Sequence, residues 1–271
     1  MTAIAARRRR NFALTGLAAL ALLLLVATAP ALGDARFLTG WLLVTAFAGL
    51  LLFNVRKKVP VLPLLQASIW LQLHTHAGLI AAFLFALHTN FRFPAGPLER
   101  SLWGLFVLLA ASGLVGWWLE RTLTPRLRSR GEAVLFARIS VFRSQLAAEV
   151  EALAERSVAE ISSPVLTDLH SRRIAPFMAA PRNFLSHLAE SHRPLEALRG
   201  ELRAVDRYLS PKGRGTLAEI DERIVAKDNL DYQHAILLTL RGWLFLHVPL
   251  AYGILPLIGA HIVLVYAFAH S

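Results

Sequence analysis

Residues 64–90 read LLQASIWLQLHTHAGLIAAFLFALHTN, a run that has no Asp, Glu, Lys or Arg but contains His74, His76 and His88. A helix needs about 20 consecutive apolar residues to cross a bilayer, so this run is long enough to span one. An ionisable side chain at membrane depth is costly and is usually functional. The stretch therefore predicts a membrane helix whose histidines carry chemistry.

Four further segments have the same apolar character. They cover residues 12–33, 37–55, 101–119 and 242–269, and they also contain no Asp, Glu, Lys or Arg. Of the 271 residues, 55% are apolar and 17% are charged, whereas soluble domains carry about 25% charge. So apolar a chain has to hide surface from water, which excludes disorder. We predict an all-α polytopic membrane bundle of about five spans, in contact with the lipid bilayer.

The basic residues predict the orientation of these spans. With the N-terminus in the cytoplasm, only Arg36, Arg92 and Arg100 lie outside. The inner set is larger and comprises Arg7–Arg10, Arg56, Lys57, Lys58, Arg121, Arg126, Arg128 and Arg130. Basic residues favour the cytoplasmic side, so we predict a cytoplasmic (inner) membrane protein with a periplasmic C-terminus. Topology also accounts for the net charge of +11, and no nucleic-acid partner is predicted.

The spans divide the chain into four parts. We predict that residues 1–36 form a retained N-terminal membrane anchor. Ala27-Thr28-Ala29 resembles a signal-peptide cleavage site, but the apolar run is longer than the 7–15 residues of a signal-peptide core. Residues 37–121 form the first part of the membrane bundle, and residues 236–271 form its last span. Between them, residues 122–235 are mostly polar, with apolar residues at helical spacing and several prolines. We predict a cytoplasmic insertion of three or four helices that acts as a scaffold or docking surface.

Two pairs of histidines share one spacing. His74 and His88 are 14 residues apart, and so are His247 and His261. Fourteen residues of helix rise about 21 Å and end about 40° short of four full turns. Both histidines of each helix therefore lie on one face, at two depths of the membrane. His76 is about 120° out of phase with His88, which makes His74 the better ligand.

Direction determines how the histidines pair. The third and fifth spans both run from the cytoplasm outward, so His74 should meet His247 on the inner side and His88 should meet His261 on the outer side. Each pair can occupy the two axial positions of a haem iron. These four residues are our candidate metal ligands, and no catalytic residue is predicted.

Small and basic residues complete the predicted sites. Gly78 and Gly113 leave room for a flat ring between helices. Arg241 on the inner side and Arg92 on the outer side are candidate partners for haem propionates, and both also suit the role of interfacial anchors. The chain has no cysteine, which excludes disulfides, thiolate metal sites and iron–sulfur ligation by these residues.

With these histidines and glycines, residues 37–121 and 236–269 resemble the membrane-integral dihaem cytochromes b. The resemblance implies two b-type haems, one held by His74 and His247 and the other by His88 and His261. It further implies an electron-transfer subunit of an oxidoreductase complex in a respiratory chain. Electrons would pass from a quinone or cytoplasmic donor to a periplasmic c-type cytochrome or iron–sulfur subunit. The long insertion and the absence of a Pro-Glu-Trp motif depart from the family pattern and leave the subfamily open.

Two other functions are compatible with membrane histidines. One is a stand-alone transmembrane reductase that passes electrons to ferric iron outside, and whether the chain is itself an enzyme stays open. The other is a transporter that uses the histidines as transition-metal ligands. Histidine pairs about 21 Å apart along a helix suit two separate sites better than one metal site.

Overall fold

The computed structural model describes residues 35–58, 67–127, 129, 134–161 and 164–268, and five isolated positions at 13, 15, 16, 20 and 21. Within these residues the secondary structure is helical, with turns between helices and no strand. The all-α prediction is therefore confirmed for this part of the chain. The predicted first span, 12–33, lies outside the described residues except at those isolated positions, and of the rest of the predicted anchor only residues 35–36 are described.

The chain divides into two units, of which the first comprises Met1–Trp117 and Phe245–Ser271. Its helices are α1 (Ala35–Lys58), α2 (Ala67–His88), the first part of α3 (Pro97–Leu127), the end of α9 (Pro211–Gly253) and α10 (Leu255–Phe268). The sequence predicts one last span over 242–269, whereas the structure interrupts it at Ile254. Pro256 explains the interruption, because its nitrogen has no hydrogen to donate to the carbonyl four residues earlier.

Three helical stretches are long and apolar enough to cross a membrane, namely Ile69–His88, Pro97–Leu127 and Pro211–Phe268, and Arg36–Leu52 is a shorter apolar helix. These stretches expose large apolar side chains, among them Leu108, Phe245 and Val263. Continuous exposed apolar surface is unfavourable in water and suits a lipid environment. The findings support a membrane protein with three candidate spans, and the total of about five remains a prediction.

The core of the first unit is aromatic and aliphatic. Phe47 on α1, Ala81 on α2, Phe106 on α3 and Ile254 form a buried cluster. The ring of Phe85 stacks on that of Phe106, with centroids 3.9 Å apart. This packing holds α1 and α3 beside α2, the helix that carries two of the predicted ligands.

The second unit comprises Trp118–Leu244. Its helices are the end of α3, α4 (Phe136–Ile161), α5 (Pro164–Leu169), a π-helical turn (His170–Ile174), α6 (Ala175–Ala179), α7 (Phe184–Leu188), α8 (Arg193–Asp206) and most of α9. Proline is favoured in the first helical turn, and Pro164 and Pro211 each open a helix. The apolar residues at helical spacing in this part of the chain form α4. It begins directly after Leu135, whose side chain is 69% exposed.

An ion pair lies in the core of the second unit. Lys227 is fully buried, and its Nζ donates hydrogen bonds to Asp231 Oδ2 at 2.6 Å and to the Ala180 carbonyl at 2.8 Å. The ammonium group also lies 4.0 Å from the centroid of the Phe177 ring. Buried charges need such partners, because burying an unpaired charge is very costly. The pair therefore ties α9 to the loop after α6.

Arg126, near the end of α3, holds the short helix α7 within the same unit. Its guanidinium donates to the carbonyls of His187 at 2.8 Å and Leu188 at 3.0 Å, and to the Tyr232 hydroxyl at 3.2 Å. It also forms a 2.7 Å ion pair with Glu190. These bonds satisfy carbonyls at the end of α7 that have no partner within the helix.

Candidate functional site

The four predicted ligands come together in two pairs within the first unit. The rings of His74 and His247 have centroids 6.3 Å apart and planes at 75°. The rings of His88 and His261 also have centroids 6.3 Å apart, with planes at 86°. All four side chains are half-buried. These are the same two pairs that helix phase and span direction select from the sequence.

The separation of the rings suits two imidazoles on opposite sides of one metal ion. A metal–imidazole nitrogen bond is about 2.0–2.1 Å and the ring centroid lies ~1.1 Å further back, so two opposed ligands place their centroids about 6.2–6.4 Å apart. Both pairs, at 6.3 Å, fall in this range. Two rings packed edge to face without a metal can have the same centroid distance. The hydrogen bonds of the ring nitrogens therefore provide further evidence.

Hydrogen bonds hold one ring of each pair at its Nδ1 atom. His88 and His261 are called the outer pair, and His74 and His247 the inner pair, after their predicted sides of the membrane. In the outer pair, His88 Nδ1 lies 3.2 Å from the Arg36 carbonyl and 3.3 Å from Thr39 Oγ1. In the inner pair, His247 Nδ1 lies 2.8 Å from Ser112 Oγ. Metal-binding histidines usually use their second nitrogen in such a bond, which fixes the ring and its tautomer. The contacts at Nδ1 therefore match coordination through Nε2.

Glycines allow close approach to the same two rings. A Cβ atom added at Gly113 would lie 3.8 Å from His247 Cε1, and one added at Gly40 would lie 3.2 Å from His88 Cε1. A Cβ atom at Gly78 would meet no atom within 4 Å. Gly113 therefore borders a histidine ring, Gly78 faces open space, and Gly40 is a close neighbour that the sequence analysis did not identify.

A cavity of about 560 Å³ adjoins the outer pair. His88 and His261 both line it, together with Arg36, Arg92 and the aromatic residues Trp41, Trp103 and Tyr266. Cofactor sites are clefts of about 300–1,000 Å³ with mostly apolar walls and a few polar groups. The size and the lining of this cavity fit a flat apolar macrocycle with anionic substituents near the two arginines.

His76 and Arg241, which the sequence analysis also considered, have the following contacts. His76 Nδ1 is 2.6 Å from the Gln72 carbonyl of its own helix, and its ring is in neither pair. Within the second unit, the guanidinium carbon of Arg241 lies 3.9 Å from the centroid of the Phe136 ring. Within the first unit, Arg36 and Arg92 line the cavity beside His88 and His261.

Sequence reasoning missed Thr39, Gly40 and Ser112. Thr39-Gly40 and Ser112-Gly113 each place a hydroxyl residue directly before a glycine, but Thr15-Gly16 in the predicted first span has the same pattern, so the sequence alone does not single them out. In the described part of the chain, no three or more His, Cys, Asp or Glu side chains are grouped to hold a metal ion. Comparison with known proteins gives no match to any protein-family model, curated protein or solved structure.

Proposed function

We propose that this protein is a membrane dihaem cytochrome b subunit that relays electrons across the bilayer. The observation that carries the proposal is the repetition of one geometry, two imidazole rings with centroids 6.3 Å apart and steeply inclined planes, at two levels of a single helix bundle. Each pair of histidines would hold one b-type haem.

The two histidine pairs determine which chemistry the protein can support. Haem supplies a one-electron couple between ferric and ferrous iron. Two histidines would hold each haem and would leave no free position on its iron for oxygen or a substrate. His74 with His247, and His88 with His261, would therefore hold electron carriers rather than oxygen-activating centres.

The spacing of the pairs along α2 suits transfer across the membrane. Fourteen residues separate His74 from His88, which corresponds to about 21 Å of helix rise. Since a bilayer has a hydrocarbon core of about 30 Å, the two pairs would serve opposite halves of it. Ligation, burial and hydrogen bonding would tune the potential of each haem.

The cavity beside His88 and His261, with the predicted membrane orientation, suggests where the outer haem would bind and where redox partners would exchange electrons with the protein. Arg36 and Arg92, both in the lining beside His88 and His261, would bind the propionates of the outer haem through charge-assisted hydrogen bonds. With the predicted orientation in the cytoplasmic membrane, a periplasmic c-type cytochrome or iron–sulfur subunit would accept electrons there. A quinone or a cytoplasmic protein would be the donor.

Haem content tests the proposal directly. Full-length protein purified from cells supplied with haem should contain two b-type haems per chain in a pyridine haemochrome assay. His74→Ala and His88→Ala should each remove one haem, whereas His76→Ala, the control on the same helix, should keep both. Protein without haem would overturn the proposal, and bound zinc or copper in its place would favour the transporter.

A further inference from the structure

Among the described helices of the first unit, α1 and α3 carry no ligand histidine, and each places a hydroxyl–glycine dipeptide against one ligand ring. On α1, Thr39 Oγ1 lies 3.3 Å from His88 Nδ1, and Gly40 borders Cε1 of the same ring. On α3, Ser112 Oγ lies 2.8 Å from His247 Nδ1, and Gly113 borders Cε1 of that ring. The same arrangement therefore occurs once in the outer pair and once in the inner pair.

The hydrogen-bond partners of His88 Nδ1 indicate which of the two ring nitrogens carries the hydrogen. The Thr39 hydroxyl donates its single hydrogen to the Arg36 carbonyl at 3.0 Å, so its oxygen presents lone pairs to His88 Nδ1. The Arg36 carbonyl, 3.2 Å from the same nitrogen, can also only accept. Because both oxygen atoms accept, Nδ1 carries the hydrogen and Nε2 carries the lone pair that binds a metal.

Ser112 Oγ lies 2.8 Å from the Leu109 carbonyl and 2.8 Å from His247 Nδ1. The carbonyl can only accept, so with the hydroxyl hydrogen on that bond the serine oxygen accepts from His247 Nδ1. Ser112 and Thr39 are both buried, so water does not compete readily for either hydroxyl. A buried bond of this kind fixes the ring orientation as well as the tautomer.

We propose that Thr39 and Ser112 are positioning residues that set the tautomer of His88 and His247 and lower the reduction potentials of the two haems independently. The inference rests on the proposed function, since it concerns ligands of those haems. An acceptor at Nδ1 raises the basicity of an imidazole ligand. A more basic ligand donates more electron density to the iron and stabilises the ferric state, which lowers the potential.

The two sites should differ in their sensitivity. Ser112 Oγ is closer to its histidine than Thr39 Oγ1 is, at 2.8 Å against 3.3 Å. Removal of the Thr39 hydroxyl also leaves the Arg36 carbonyl 3.2 Å from His88 Nδ1 as a second acceptor. Ser112→Ala should therefore shift the inner potential further than Thr39→Val shifts the outer potential.

Spectroelectrochemical titration of the full-length holoprotein tests this assignment. Ser112→Ala should raise the potential of one haem, with up to about a tenfold higher ratio of reduced to oxidised haem at a fixed potential, equivalent to about 59 mV for one electron. Thr39→Val should raise the potential of the other haem by less. The matched controls are Ser101→Ala and Thr45→Val, whose exposed hydroxyls donate to the carbonyls of Pro97 and Trp41 on their own helices.

The outcomes separate this inference from the proposed function. Wild-type protein without haem would overturn both. Two haems in every variant with unchanged potentials would overturn the positioning role alone. If Ser112→Ala or Thr39→Val loses haem, Ser112→Thr and Thr39→Ser, which retain the hydroxyl, decide the question. Wild-type potentials in these two variants support the inference, and shifted potentials contradict it.

Discussion

Gly40→Ala should weaken the outer site selectively. The new Cβ atom would lie 3.2 Å from His88 Cε1, whereas ordinary contacts begin at 3.4 Å, so the ring or α1 has to move by at least the difference of 0.2 Å. Metal–ligand distances in proteins vary by about ±0.2 Å, so this movement is as large as the full variation that a bond between His88 and the haem iron would allow. Changes beside a ligand typically cost about 10–100-fold in affinity.

The assay is the transfer of haem from the detergent-solubilised holoprotein to excess apomyoglobin. Gly40→Ala should release one haem about 10–100-fold faster than the wild type does, and the other at the wild-type rate. Gly49→Ala, on the same helix, is the matched control, because its Cβ atom would meet no atom within 4 Å. Equal release from both alanine variants would refute the steric reasoning.

Three other predictions concern pairing and stability. His88→Ala and His261→Ala should remove the same haem, so that the double variant loses no more than either single variant in a haemochrome assay; additive loss would contradict the pairing. Lys227→Met should destabilise the second unit by about 3–5 kcal/mol in denaturant unfolding, and adding Asp231→Leu should recover part of that loss. Arg126→Ala should cost about 1.5–3 kcal/mol in the same measurement, and an unchanged midpoint would contradict its role in holding α7.

Helix geometry explains how much of the site could be predicted. A spacing of 14 residues fixes both the depth and the direction of a side chain on a helix. His74, His88, His247 and His261 could therefore be selected, and His76 set aside, without knowledge of neighbouring helices. The all-helical fold likewise depends on apolar runs that one sequence displays directly.

Contacts between helices could not be predicted in the same way. Thr39 and Ser112 act on histidines 49 and 135 residues away in sequence, and the rotation of α1 and α3 about their axes determines those contacts. For the same reason Gly40, which borders the His88 ring, was not among the predicted glycines.

Electron paramagnetic resonance of the oxidised, full-length protein tests the central claim most directly. The ring planes of the two pairs lie at 75° and 86° to each other. Perpendicular imidazoles act almost equally on the two iron orbitals of π symmetry, which remain nearly degenerate. We therefore expect two low-spin ferric signals of very large anisotropy. Rhombic signals typical of parallel imidazoles, a high-spin signal, or no haem signal would contradict the account.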